Sequence, residues 1–161
     1  MVDYMVSFPA MTTIAHLVAG GIGVDSSMNM LRKAKACFQQ AGVKNIHLLR
    51  ADVAHLPIKD AAVDLVLSMN GWHAFADKQR ATAEIRRALR PQGKLVACGY
   101  VMGNRKTSDW FVKHFDARNK YFTPPFFDLR DLPSEFEGFK IIRQAHIQSI
   151  AYFEAIRQAE Q

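Results

Sequence analysis

The chain is short of several things, and each shortage narrows what it can be. Two cysteines occur in 161 residues, Cys37 and Cys98, with no metal-ligand spacing around them. Neither a disulfide framework nor a metal site is therefore expected, and the pair reads as reduced core thiols of a cytoplasmic protein. No apolar run approaches ~20 residues, so no transmembrane helix and no membrane partner are implied. The first residues lack the basic-then-apolar order of a secretory signal. Internal repeats and low-complexity linkers are missing as well. A chain of this length holds one domain with a real core and is too short for two ordinary ones, which predicts a single domain over 1–161.

Runs of one charge sign are also scarce. The formal net charge is +6, yet the basic residues are scattered: Arg32, Lys33 and Lys35, then Arg86, Arg87 and Arg90, then Arg105 and Lys106. No five follow one another, and no aromatic residues interleave with them in a stacking pattern. A solvated surface is expected, with an anionic partner or substrate as the alternative; a nucleic-acid partner is not implied.

What the chain does have is hydrophobic substance. Nearly half of it, 49%, is hydrophobic and 22% is charged, the composition of a folded globular protein. Strand and helix patterns alternate along it. Val2–Val6 is a short strand candidate. A helix from Pro9 runs through Ile14, Leu17 and Val18 and is ended by Gly20-Gly21. Ile22–Asp25 is a strand, after which Ser26 or Ser27 caps a helix carrying Met28, Leu31, Ala34 and Phe38 near helical spacing, stopped by Gly42. Asn45–Arg50 is a third strand. Leu56-Pro57 lies in the next connection, where Asp60 is placed to cap a turn.

Val63–Met69 is a near-continuous apolar run that suits burial on both faces of a parallel sheet. Asp77 caps a helix that turns Ala81, Ile85, Ala88 and Leu89 inward and is closed by Pro91-Gln92-Gly93, before a fifth strand over Lys94–Tyr100. Asn104–Lys120 reads as helical around Trp110, Phe111 and His114. Two prolines keep 121–127 irregular, and Asp128–Phe136 reads as a short helix. Phe139–Ile147 and Ser149–Arg157 alternate like an antiparallel pair. The expected fold class is α/β: a Rossmann-like three-layer sandwich, mostly parallel, with a C-terminal antiparallel strand pair.

Within that pattern Gly23-Val24-Asp25-Ser26-Ser27 is the most informative stretch. It places a carboxylate at the end of a buried strand, just before a capped helix. Ligands of open α/β sheets bind outside the carboxyl ends of the strands, where an acid can take two hydrogen bonds from ribose hydroxyls. The plainer reading of Asp25 is an acid favoured by the helix dipole.

Four segments in order resemble the class I S-adenosylmethionine-dependent methyltransferases of the small-molecule branch. They are Gly23–Leu31; Ala51-Asp52-Val53 with Leu56-Pro57; Val63–Ser68; and Glu84–Val96. The resemblance implies S-adenosylmethionine as cofactor and a small-molecule methyl acceptor as partner. It implies that Asp25 takes the ribose hydroxyls, that Asp52 accepts from the adenine amino group, and that the Val53 backbone addresses the ring. Ser26 and Met28 are candidates for the adenine face, although Met28 equally suits the core.

Asn70-Gly71-Trp72-His73 follows the fourth strand, where such proteins place residues near the transferable methyl group. Asn70 is a candidate cofactor and catalytic residue, and His73 a candidate base, since imidazole titrates near neutral pH. A lone loop histidine is more often structural. Trp72 with Trp110, His114, Tyr121 and Phe126 is expected to line a substrate pocket, with 103–136 as an insertion on the substrate side; local core is the alternative for the last four.

One element of the family pattern is missing. Its first strand ends in an acid followed by G-x-G-x-G; by the family's spacing the acid falls on Asp3 and the glycines on Met5, Ser7 and Pro9. Side chains there crowd a loop that needs glycine torsions and close main-chain approach. Gly20-Gly21-Ile22-Gly23 does not replace that loop, because it precedes a strand instead of following one. Such proteins also carry a covering segment before the first strand. Two explanations stand: a truncated or miscoded beginning, or a natural degenerate methyltransferase. The sequence therefore supports a small-molecule methyltransferase homologue, with a non-catalytic, dimerising module as its rival. An exposed first strand favours a homodimer. An RNA or protein methyltransferase is a third reading, although the Asn-Pro-Pro-Tyr pattern of base methyltransferases is absent at Asn70–His73.

Overall fold

The computed structural model describes residues 2–4, 8–103, 106–115 and 128–159. Among them the strands are β1 (Val2–Tyr4), β2 (Gly21–Asp25), β3 (Ile46–Arg50), β4 (Val63–Met69), β5 (Leu89–Tyr100), β6 (Phe139–Ile147) and β7 (Ile150–Arg157). The helices are α1 (Phe8–Ile14), α2 (Met28–Gln40), α3 (Lys78–Ala88), α4 (Lys106–Phe115) and α5 (Leu132–Glu135). One seven-stranded sheet runs in the order β3-β2-β1-β4-β5-β7-β6. Pairing is parallel from β3 to β5 and antiparallel for β5–β7 and β7–β6. This is the Rossmann-like sandwich with a closing antiparallel pair that the sequence pattern predicts.

Helices cover both faces of the sheet because the strands are apolar on both. On one side Val66, Leu95, Ala97, Phe153 and Ala155 pack with Ile85 and Ala88 of α3 and with Trp72 and Phe136. On the other, Met11 and Ala15 join Ala34 and Phe38 of α2 over Ile46, Leu48, Leu67 and Met69. Short β1 is an interior strand: Asp3 pairs with Val24 on one side and Ser68 on the other.

Local chemistry sets the element ends. Ser27, not Ser26, caps α2, its hydroxyl accepting the Met30 amide at 3.4 Å. Gly42, at φ +67°, ends it, with the Val43 amide reaching back to Phe38 O at 2.9 Å. Asp77 caps α3 by accepting the Arg80 amide at 2.9 Å.

Besides shifts of one residue at several strand ends, two stretches differ from the sequence reading. The first helical segment ends at Leu17, ahead of Gly20-Gly21, and Val18 is extended. Asn45 is the reason: its side-chain amide donates to Ala15 O at 2.8 Å and Val18 O at 2.9 Å, satisfying carbonyls that a glycine cap would have served. Helix α3 stops at Ala88, so Leu89 opens β5 opposite Val63. Arg90–Gly93 then bulges out before Lys94 pairs with Leu65. Gly93 is needed there, since a Cβ would lie 2.8 Å from Arg90 O. Arg157 of β7 caps the carbonyls of Leu89 and Arg87. Of the helix predicted over Asn104–Lys120, Lys106–Phe115 forms α4; 104, 105 and 116–120 lie outside the described residues. No helix among the described residues is long and apolar enough to cross a membrane.

Candidate functional site

Strand order changes direction at β1, whose neighbours β2 and β4 lead to opposite edges of the sheet, and ligands of such sheets bind outside the carboxyl ends of the strands near that point. A cleft of about 180 Å³ lies there, lined by Asp25, Ser26, Ala51, Asp52, Val53 and Ala74–Asp77. A larger groove of about 610 Å³ opens at the opposite, amino-terminal ends of β2, β3 and β4. Position relative to the switch point favours the smaller cleft.

Asp25 ends β2 and is 6% exposed. Its Oδ1 accepts the Ser27 amide at 2.7 Å, while Oδ2 is buried and has no partner among the described residues. Burial pushes this carboxyl above the ordinary range against the opposing pull of the Ser27 amide. A buried carboxylate oxygen without a donor is costly unless a ligand supplies one. The end of β2 is held to β3 by the Ala51 amide, which donates to Asp25 O at 3.3 Å, and by Arg50 Nε, which donates to Ser26 O at 3.1 Å.

Asp52 follows β3, its Oδ1 accepting the Ala54 amide at 2.9 Å and its Oδ2 lying 3.8 Å from His55 Nδ1. Val53 is buried beside it. The opposite wall, Ala74–Asp77, leads into α3. Asp77 reads in the sequence only as a helix cap; its place as the cleft's third carboxylate comes from the fold. Met28, at the start of α2, is 41% exposed and is not among the residues lining the cleft.

Asn70 terminates β4 in the left-handed region at φ +58°, a conformation asparagine tolerates. Its amide donates to Cys98 O at 2.9 Å, and its Oδ1 sits 3.8 Å from the Cys98 thiol. His73 Nδ1 accepts the Tyr100 amide at 3.3 Å, which assigns the proton of a neutral ring to Nε2. The Tyr100 hydroxyl donates to Asp109 of α4 at 2.7 Å.

Trp72 is placed in the core and not on an open pocket. It is 3% exposed, with its ring centroid 4.5 Å from that of Phe136 and 5.3 Å from that of Phe75. Trp110 and His114 stack on one another at 4.8 Å on the outer surface of α4, where Trp110 is 57% exposed. Tyr121 and Phe126 lie outside the described residues. Among the described residues, no three His, Cys, Asp or Glu side chains converge as metal ligands.

A family model described as "Methyltransferase domain" matches residues 10–97. The chain belongs to the methyltransferase-domain family. Over 95 residues it is 27% identical to the uncharacterized methyltransferase YcgJ of Bacillus subtilis, a match covering 59% of this chain and 38% of that protein. It is 40% identical over 76 residues to the demethylmenaquinone methyltransferase of Lactiplantibacillus plantarum, covering 47% and 32%. The matched segments thus span well under half the length of these two curated relatives. The crystal structure of YcgJ superposes with a TM-score of 0.82 at 16% identity, covering 99% of this chain and 92% of that one. That of an S-adenosylmethionine-dependent methyltransferase from Aquifex aeolicus gives 0.73 at 15% identity, covering 97% and 80%. The fold is that of the class I S-adenosylmethionine-dependent methyltransferases.

Proposed function

We propose that this chain is a small-molecule methyltransferase homologue whose own residues hold the adenosine end of S-adenosylmethionine. The observation that carries the reading is Asp25: a buried carboxylate with one satisfied and one orphaned oxygen, opening on a cleft at the switch point. Two vicinal ribose hydroxyls supply the donors that oxygen lacks. Asp52 is assigned to the adenine amino group, Val53 to the ring edge, and Ser26 to the rim of the cleft. Asn70 and His73 border the end of β4 where the acceptor would be presented, with α4 on the substrate side.

When bound, the cofactor supplies an electrophilic methyl group on a sulfonium. In-line displacement from it needs alignment and exclusion of water more than a strong base. His73, with Nδ1 already committed to the Tyr100 amide, suits orienting work over proton abstraction. Both cysteines are free, which accords with a reducing, cytoplasmic setting.

A rival reading is a non-catalytic, dimerising module. It is favoured by Met5, Ser7 and Pro9 standing where the family's glycines belong. Calorimetric titration with S-adenosylmethionine and S-adenosylhomocysteine separates the two. Binding that Asp25→Ala weakens by about 1–3 kcal/mol, the range for a lost hydrogen bond to a charged group, supports the first reading. No heat at millimolar ligand supports the second.

A further inference from the structure

We propose that Arg80, Glu84 and Arg87 form a clamp that sets the nucleoside cleft and makes it select adenine over a 6-oxo purine. The inference rests on the reading of the cleft as an adenosine site and adds the device that shapes it. The three residues recur at i, i+4 and i+7 on α3 and so share one helix face.

That face takes hold of the irregular segment after β3. Arg80 Nε donates to Ala54 O at 3.2 Å. Glu84 Oε2 accepts the Leu56 amide at 2.8 Å. Arg87 donates to Leu56 O at 3.0 Å, to Ile58 O at 2.7 Å and to Asp60 Oδ1 at 2.5 Å. Its Nε and Nη2 also engage both oxygens of Glu84, at 2.8 and 2.9 Å, as a fork on a fork. The Arg87 bond holds the Glu84 carboxyl below its ordinary range, ahead of the opposing effect of burial.

Both walls of the cleft are tied to this one helix. Ala74–Asp77 leads directly into α3, and Asp52-Val53 leads directly into the clamped segment. The link to chemistry is Ala54. Its carbonyl is held by Arg80, and its amide fixes the Asp52 carboxylate. Asp52 itself is 63% exposed at the side chain, and apart from His55 Nδ1 at 3.8 Å it is the Ala54 amide that sets its direction. A carboxylate so held accepts from the 6-amino group of adenine and is repelled by a 6-oxo oxygen. Arg80, Glu84 and Arg87 are therefore positioning residues acting through Asp52.

The test titrates S-adenosylhomocysteine and S-inosylhomocysteine against the wild-type chain and Arg80→Gln, Arg87→Gln and Arg90→Gln. Arg90 pairs with exposed Asp64 at 2.6 Å, away from the clamp, and serves as control. The expected wild-type preference for the adenosyl ligand is on the order of tenfold or more, the worth of one charge-assisted hydrogen bond. It falls toward unity in Arg80→Gln and Arg87→Gln and persists in Arg90→Gln. Asp25→Asn lowers both affinities alike. Should Arg87→Gln fail to fold, Arg80→Gln, which loses one hydrogen bond, carries the test. A folded Arg80→Gln that keeps the wild-type ratio overturns the clamp and leaves the adenosine reading standing, as does a wild-type chain that binds both ligands equally. A wild-type chain that binds neither overturns both.

Discussion

Asp25 accepts the Ser27 amide at 2.7 Å with one oxygen and keeps the other buried without a partner among the described residues. That contact sets the turn that leads to the Ser27 cap of α2, and the second oxygen is the one the proposed reading gives to a ligand. Burial raises this carboxyl in the folded chain, so it holds its proton to higher pH than in the unfolded chain. Its contribution therefore favours folding at low pH and turns into a penalty as pH rises from the ordinary value of 3.8 through the raised one.

On the proposed reading, ribose hydroxyls bind the ionised form. Affinity for S-adenosylhomocysteine should be flat above the raised value and fall by up to about tenfold per pH unit below it. Calorimetry between about pH 4 and pH 8 reads this directly. The same series on Asp25→Asn should show the low-pH limb gone; a limb that survives the substitution belongs to another group.

Tyr100 links the sheet to α4. Its hydroxyl donates to Asp109 Oδ1, and the other oxygen of Asp109 accepts the Gly103 amide at 3.0 Å. Burial first, and the neighbouring Asp109 second, keep the phenol protonated well beyond the ordinary tyrosine range. Tyr100→Phe should cost roughly 1.5–3 kcal/mol, the net worth of one hydrogen bond to a charged group. Hydrogen exchange should quicken in 106–115 while β4 and β5 remain protected; uniform protection would show that α4 does not depend on this bond.

Phe136 is fully buried and packs between Trp72 and Phe153, with ring centroids 4.5 Å away in each case. Phe136→Ala removes the ring that joins α5 to the sheet. The expected loss is roughly 3–5 kcal/mol, the usual cost of emptying such a site. Thermal denaturation measures it, and a change under about 1 kcal/mol would mean that the surrounding rings collapse into the space.

Cys98 is buried and its thiol is pushed up by that burial, with the Asn70 amide acting in the opposite direction. It should be inert to thiol reagents in the native chain and react only on denaturation. Cys37, half-buried on α2, should react faster. Labelling with peptide mapping distinguishes the two. Native labelling of Cys98 would show that the end of β4 opens.

Much of the fold is legible from local pattern. The apolar run Val63–Met69 forms β4, and Leu31, Ala34 and Phe38 recur at the spacing that buries one side of α2. Ser27 and Asp77 cap because short polar side chains satisfy helix-end amides within three residues. The start of β5 was less legible, since Arg90–Gly93 has the composition of a helix stop and works as a bulge inside a strand. Nor does composition reveal that Trp72 is core while Trp110 is surface, as each sits among mixed polar and apolar neighbours along the chain.

By itself, the sequence determined the alternation of strands and helices, the family, and Asp25 and Asp52 as acids at strand ends, because those depend on periodicity and short spacings. Only the tertiary structure decided that Asp25 keeps an orphaned oxygen, that Asp77 closes the same cleft, and that Arg80, Glu84 and Arg87 grip a segment 26 to 31 residues away. Hydrogen bonds between groups so far apart in the chain exist only once the sheet has brought α3 beside the end of β3. No local pattern encodes that meeting.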